Sequence, residues 1–288
     1  MSDIRPRRSV LYMPGSNARA LEKARMLKAD ALILDLEDAV APDAKDAARV
    51  QVCEAVRAGF GKRETVVRIN ALATPWGAKD LLAAAAAKPD ASLLPKISTP
   101  DELRAVEQRL AGIAPSLALW AMVETPLAIL NIAALAGAGG RLACLVMGTN
   151  DLIKEMGGVH TGDRLNLAAA LGLSLLAARA HSLAVIDGVY NDLEDGEGFA
   201  AACAQGRSFG FDGKTVIHPS QIEPCNAAFA PSAAELESAQ KIVAAFALPE
   251  NKGKGAIKLD GHMVERLHAE SAERTVALAE AIAAMAGD

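Results

Sequence analysis

Acidic residues recur just after short apolar runs in this chain, and one arginine shares that position. The runs end in Asp35-Leu36-Glu37-Asp38, Arg68-Ile69-Asn70, Glu124-Thr125-Pro126 and Gly148-Thr149-Asn150-Asp151. If the runs are parallel strands, all four groups fall at one end of the sheet. Carboxylates gathered there repel one another and need either a proton or a cation. Oxygen ligands without a neighbouring His or Cys cluster favour Mg2+ over zinc, and magnesium usually takes one or two protein carboxylates, leaving room for water and substrate. Glu124 and Asp151 are the candidates for direct ligation, with Glu37 and Asp38 holding metal-bound water. Arg68 is the candidate for gripping a substrate carboxylate or steadying a developing oxyanion. Each has a structural alternative. An acid after a strand often caps a helix, and an arginine beside acids often forms only an ion pair. Asp35, inside its run, is as readily structural as functional.

The elements that must position these groups follow from periodicity. Short apolar runs alternate with longer segments of helical spacing, the pattern of repeated β-α units on a parallel sheet. Strands are expected over 9–14, 31–36, 65–70, 91–97, 117–123, 143–148, 184–189 and 214–218. Eight such strands close a (β/α)8 TIM barrel, whose active site lies at the C-terminal ends of the strands. Helical spacing covers 18–28, 43–59 and 99–110, with Ser16-Asn17 and Ser98-Thr99-Pro100 as start signals. Gly59, Gly112 and Gly172 read as helix ends or turns. Residues 1–249 are expected to form the barrel. Residues 250–288 are expected as a C-terminal lid and helix of the same structural domain: a mobile 249–255, a short apolar run at 256–260 and a helix over 263–285.

Phe211-Asp212-Gly213-Lys214-Thr215 leads into Val216-Ile217-His218-Pro219-Ser220, a strand followed by a helix start, as on the phosphate-binding side of barrels. Lys214 and His218 could equally be structural there. Composition limits what else the chain can be. With 288 residues and 51% hydrophobic content it can bury one large core, and 3% aromatics make that core aliphatic. A net charge of -5 with interleaved signs points away from a nucleic-acid surface. Cys53, Cys144, Cys203 and Cys225 are scattered, as in a reducing compartment. No signal-peptide pattern and no apolar run near the roughly 20 residues of a membrane span are present. A cytoplasmic protein with no membrane partner is expected.

In these same residues the chain resembles the citrate lyase β-subunit-like family, which includes malyl-CoA and citramalyl-CoA lyases. The matching segments run from Arg8 to Gly15, Leu34 to Val40, Val67 to Asn70, Val123 to Pro126, Gly148 to Leu152 and Gly213 to Gln221. They occur in family order across most of the chain. The resemblance implies a (β/α)8 barrel, Mg2+ on Glu124 and Asp151 with Glu37 and Asp38 nearby, and substrate binding by Arg68 and Glu124. The segment from Gly255 to Val264 resembles the family stretch whose aspartate, here Asp260, completes the site of a neighbouring subunit, which implies a homotrimer. Without the resemblance, Asp260-Gly261 reads simply as a turn.

The resemblance thus implies a carbon–carbon lyase that splits a 3-hydroxyacyl-CoA, such as malyl-, citramalyl- or citryl-CoA, into a short acyl-CoA and a keto acid. Asp260 would exchange the proton at the thioester α-carbon, with Arg68, Glu37 and Asp38 as the other catalytic groups. Three alternatives share the barrel: a CoA-thioester hydrolase, a metal-dependent aldolase on free keto acids, and a non-catalytic subunit of a lyase complex. The CoA-anchoring residues are not legible, and Arg7, Lys23 and Lys28 are candidates by position alone.

Overall fold

The structure, a computed structural model, describes residues 4–286. One compact unit is Arg7–Phe229. It is a closed barrel of eight parallel strands in chain order: β1 (Ser9–Pro14), β2 (Ala31–Asp35), β3 (Glu64–Arg68), β4 (Ala91–Leu94), β5 (Ala118–Val123), β6 (Leu142–Met147), β7 (Ala184–Asp187) and β8 (Gly213–Val216). Closure is made by β1 on β8, with Val10 opposite Thr215 and Leu11 opposite Val216. The expected barrel is present, and β1 has the expected bounds. Several other strands stop earlier than expected, because the backbone leaves the sheet to place polar residues at the mouth.

Alternation along each strand sorts the core into two layers. Val10, Ala31, Ile33, Val66, Leu93, Trp120, Met122 and Val146 pack together inside the barrel. Their neighbours Leu11, Leu32, Leu34, Val67 and Leu145 face the helices instead. The same alternation places Glu64, Val66 and Arg68 on one face of β3, so this strand carries a charge at each end of the interior. At the N-terminal end Glu64 pairs with Arg7, whose guanidinium also lies over the Trp120 ring.

Helix starts follow local chemistry. Asn17 caps Ala18–Ala24, and Thr99 with Glu102 forms a capping box on Pro100–Arg109. Gly59 ends Lys45–Ala58 with a positive φ of 83°. Gly172, expected near a helix end, lies inside Ala168–Ala180 instead, where an Ala-rich sequence outweighs one glycine.

The second unit comprises residues 230–286 with residues 4–6. Helix Ala233–Ala247, capped by Ser232 and Glu235, packs on the long helix Arg266–Ala286. Packing thus changes hands after Phe229, whereas the division was expected after residue 249. Between the helices, β9 (Ala256–Leu259) and β10 (His262–Glu265) form an antiparallel hairpin. Its turn is Asp260-Gly261, with φ values of 48° and 85°, as a two-residue hairpin turn requires. The helix expected from residue 263 starts at Arg266, because residues 262–265 pair with β9 and alternate, burying Val264 with Ile257 and Phe246. No helix among the described residues is long and apolar enough to cross a membrane.

Candidate active site

Polar residues from five consecutive strands, β2 to β6, meet at the C-terminal mouth of the barrel. Asp35, the last residue of β2, is 1% exposed. Its oxygens accept from the backbone N–H groups of Glu37 (2.8 Å) and Ala39 (3.0 Å), which bends the chain after β2. Both oxygens also accept from Arg68, at 2.6 Å from Nε and 2.6 Å from Nη2. This bidentate fork, with the Tyr12 ring 4.9 Å from the guanidinium, restrains Arg68 and leaves Nη1 for the mouth. Nη1 lies 3.1 Å from Glu37 Oε2 and 3.4 Å from Asp38 Oδ2. The Glu37 oxygen is nevertheless outside hydrogen-bonding geometry, so it is buried without a donor. Lys45 clamps the same turn, donating to the carbonyls of Leu36 (2.9 Å) and Glu37 (2.7 Å).

Opposite stand Glu124 and Asp151. Glu124 follows β5 and is 1% exposed. Thr125 starts the next helix by accepting from Ala128 N–H, which holds Glu124 at the strand end. Gly148 lies against it: a Cβ there would come within 2.4 Å of Glu124 Cβ, so any side chain would push the carboxylate away. Glu124 Oε1 accepts from the backbone N–H of Lys96 at 2.7 Å. The Lys96 ammonium lies 2.5 Å from Asp151 Oδ1 and 3.7 Å from Glu124 Oε2.

Burial and crowding govern the charges. Burial pushes the Glu37 carboxyl up to about 8; Arg68 opposes the shift, while Asp38, Glu124 and Asp35 reinforce it. Burial likewise raises Glu124 to about 7, against the Lys96 charge. Burial alone would lower the Lys96 ammonium, but its bond to Asp151 and the charge of Glu124 raise it. Two carboxyls held near neutrality, and one buried carboxylate oxygen without a donor, mark a place short of positive charge. Among the described residues, no three His, Cys, Asp or Glu side chains converge as a metal-ligand group. A hard cation that takes two carboxylates and completes its shell with water still fits Glu124 and Asp151.

The mouth opens into a cavity of about 330 Å³. Arg68, Asp38 and Asp151 are among its polar lining residues, and Met122, Met147, Val189 and Ile217 supply apolar lining. Asn150 and Asn191 bridge its rim through paired side-chain amide hydrogen bonds of 3.2 and 2.8 Å.

Of the residues expected from sequence, the structure brings together Arg68, Glu37, Asp38, Glu124 and Asp151. Asp260 lies in the hairpin of the other unit. Asp35, left open, proves to be the partner that orients Arg68. The sequence does not set Lys96 apart, because 91–97 has the pattern of unbroken strand, although a lysine at the end of an apolar run carries the same signal as the acids. Lys214 is structural: it is fully buried on Asp187 at 2.9 Å, and Arg164 donates to both oxygens of the same carboxylate. His218 caps a short turn through Ser220 and Gln221. Arg7 and Lys28, weighed as CoA anchors, precede β1 and β2 and so stand at the end of the barrel away from the mouth.

Residues 8–219 match the HpcH/HpaI aldolase/citrate lyase family, and residues 173–283 match the C–C bond lyase family of the TIM-barrel fold. The chain belongs to the HpcH/HpaI aldolase/citrate lyase family. Among relatives in this family, a (3S)-malyl-CoA thioesterase of Cereibacter sphaeroides is 54% identical, over 97% of this chain and 96% of that protein. The citrate lyase subunit beta of Leuconostoc mesenteroides subsp. cremoris is 34% identical, over 98% and 96%. The protein CitE of Mycobacterium tuberculosis, crystallised with magnesium, acetoacetate and coenzyme A, superposes with a TM-score of 0.75 at 31% identity, covering 96% of this chain and 98% of that one. The family expected from the sequence motifs, and its barrel with a C-terminal helical extension, are therefore borne out.

Proposed function

We infer that this chain is a magnesium-dependent enzyme acting on a short hydroxyacyl-CoA of the malyl-CoA type, and that its reaction is hydrolysis of the thioester. The single observation that carries this reading is 54% identity, over 97% of the chain, to proteins named (3S)-malyl-CoA thioesterase. The mouth suits such a substrate. Arg68, fixed by Asp35, offers one outward edge to a carboxylate or to the thioester oxygen. The apolar lining residues Met122, Met147, Val189 and Ile217 suit the carbon chain and sulfur. A cavity of about 330 Å³ takes the acyl end and leaves the nucleotide outside.

Glu124 and Asp151 would hold the magnesium, and Glu37 and Asp38 its waters. When bound, the ion supplies a Lewis acid that polarises substrate oxygens. Glu37, with one buried oxygen that no donor occupies, can accept a proton from water at the mouth or return one to the departing thiolate. Asp260 is assigned, by resemblance, to proton exchange at the thioester α-carbon, supplied by a neighbouring subunit of a trimer. That role belongs to cleavage or condensation rather than to hydrolysis.

Asp260 therefore favours a second reading, the carbon–carbon lyase, as do the 34% identical citrate lyase subunit and CitE with acetoacetate and coenzyme A. Incubating the enzyme and Mg2+ with malyl-CoA separates the two. Malate and free CoA support hydrolysis, whereas acetyl-CoA and glyoxylate support cleavage. Absence of both product pairs, across malyl-, citramalyl-, methylmalyl- and citryl-CoA, would refute the inferred substrate class. For Asp260→Asn, full-rate deuterium exchange into acetyl-CoA would remove that residue from the mechanism.

A further inference from the structure

Lys96 has no role in the reading above, yet it touches both carboxylates offered to the metal. It follows β4 with a φ of 56°, a left-handed conformation that side-chain-bearing residues seldom adopt. That backbone turn aims its N–H at Glu124 Oε1, while its side chain reaches Asp151. Main chain and side chain are thus anchored to different acids. The Lys96 side chain is 37% exposed and Asp151 32%, in contrast to the fully enclosed Lys214. An ammonium on a flexible four-carbon stem beside open solvent can leave its partner without being stranded in an apolar interior.

We propose that Lys96 is a displaceable counter-ion: its ammonium and a divalent cation compete for the Asp151–Glu124 pair, and the displaced ammonium pairs with the free carboxylate of the bound acyl group. This rests on the metal site inferred above. Two positive charges cannot share one carboxylate pair at contact distance without strong repulsion, so an arriving cation drives the ammonium out. The backbone N–H stays on Glu124, so only the side chain moves. An anionic ligand that receives the ammonium lowers the cost of metal binding, and by linkage the metal tightens binding of that ligand by the same factor. Lys96 thereby couples metal loading to a substrate that carries a second carboxylate. It sets the affinity for the cation by competing with it, and it is a specificity residue for dicarboxylic acyl groups.

The test counts free Mn2+, as a stand-in for Mg2+, by electron paramagnetic resonance on the full chain at fixed pH, with and without malate. Lys96→Met removes the charge at constant length. Lys96→Gly does so while suiting the positive φ and keeping the backbone N–H, and Lys96→Arg restores a charge. Both neutral variants are expected to bind Mn2+ about three- to tenfold tighter than the parent without malate. Malate should tighten Mn2+ binding in the parent by a factor that shrinks at least about threefold in both neutral variants. Lys96→Arg should return both quantities toward parental values, which a merely structural lysine would not predict. If the parent binds Mn2+ and both neutral variants bind it equally or more weakly, the counter-ion role is overturned while the metal site stands. A malate factor that is unchanged in both neutral variants overturns the coupling. Failure of parent and variants alike to bind Mn2+ at about 1 mM overturns the metal site and the role of Lys96 together.

Discussion

Two charged clusters in the barrel unit show opposite uses of buried charge. Around Asp187, one carboxylate meets two cations: Lys214 at 2.9 Å on Oδ2, and Arg164 on both oxygens, at 2.8 Å on Oδ2 and 2.5 Å on Oδ1, all nearly sealed from solvent. Burial alone would raise the Asp187 carboxyl, but the Lys214 and Arg164 charges hold it below its ordinary value. At the mouth the ratio is reversed. Asp35, Glu37, Asp38, Glu124 and Asp151 face Arg68, Lys96 and Lys45, and the acids least served, Glu37 and Glu124, are pushed up toward neutrality. A cluster with every acid answered holds the fold. A cluster with acids to spare keeps a place for something that arrives.

Breaking each cluster should therefore have opposite consequences. The largest effect is expected for Glu124→Ala and Asp151→Ala: turnover falls by at least about 10³-fold with saturating Mg2+, as steady-state assays with malyl-CoA would read. The melting temperature of the metal-free protein should hold or rise, because repulsion at the mouth is relieved. Normal turnover in either variant would dissolve the contrast. Asp187→Ala comes next. It leaves Lys214 and Arg164 buried without a counter-charge, so denaturant unfolding should show a loss of about 3–5 kcal/mol. A loss below about 1 kcal/mol would mean that this cluster is not the structural one.

Arg68→Lys sharpens the comparison at intermediate size. An ammonium cannot reproduce the fork onto Asp35 while still presenting an edge to the mouth. Activity should fall about 10²-fold, with a stability loss of about 1–3 kcal/mol from the buried Asp35 hydrogen bond left unmade. The smallest effect is on pH dependence. In the folded chain Glu37 and Glu124 lie near 8 and 7, above the ordinary 4.5 that each regains on unfolding. Between those values the folded state binds more protons than the unfolded one, so stability falls as pH rises from about 4.5 to about 8. Melting curves of metal-free protein should show that slope, with Glu37→Gln flattening part of it and Mg2+ flattening more. A slope of opposite sign would mean that the mouth is not short of positive charge.

Much of the mouth is legible in the sequence. Alternation and run length locate eight strands, and a parallel barrel sends everything that follows a strand to one end, so Glu37, Asp38, Arg68, Glu124 and Asp151 must meet. The hairpin at 256–265 was harder to read, because four residues of β-pairing before a long helix share its apolar content. Lys96 was missed for a related reason: β4 ends at Leu94, but the apolar residues beyond it continue the same pattern.

The sequence by itself determined the barrel, the end at which the acids gather, and the family, because these depend on period, order and residue type along the chain. Only the tertiary structure decided which charge answers which. Lys96 reaches Glu124 across 28 residues and Asp151 across 55, and Arg68 reaches Asp35 across 33. Coulomb energy depends on separation in space, and here barrel closure and strand register set that separation.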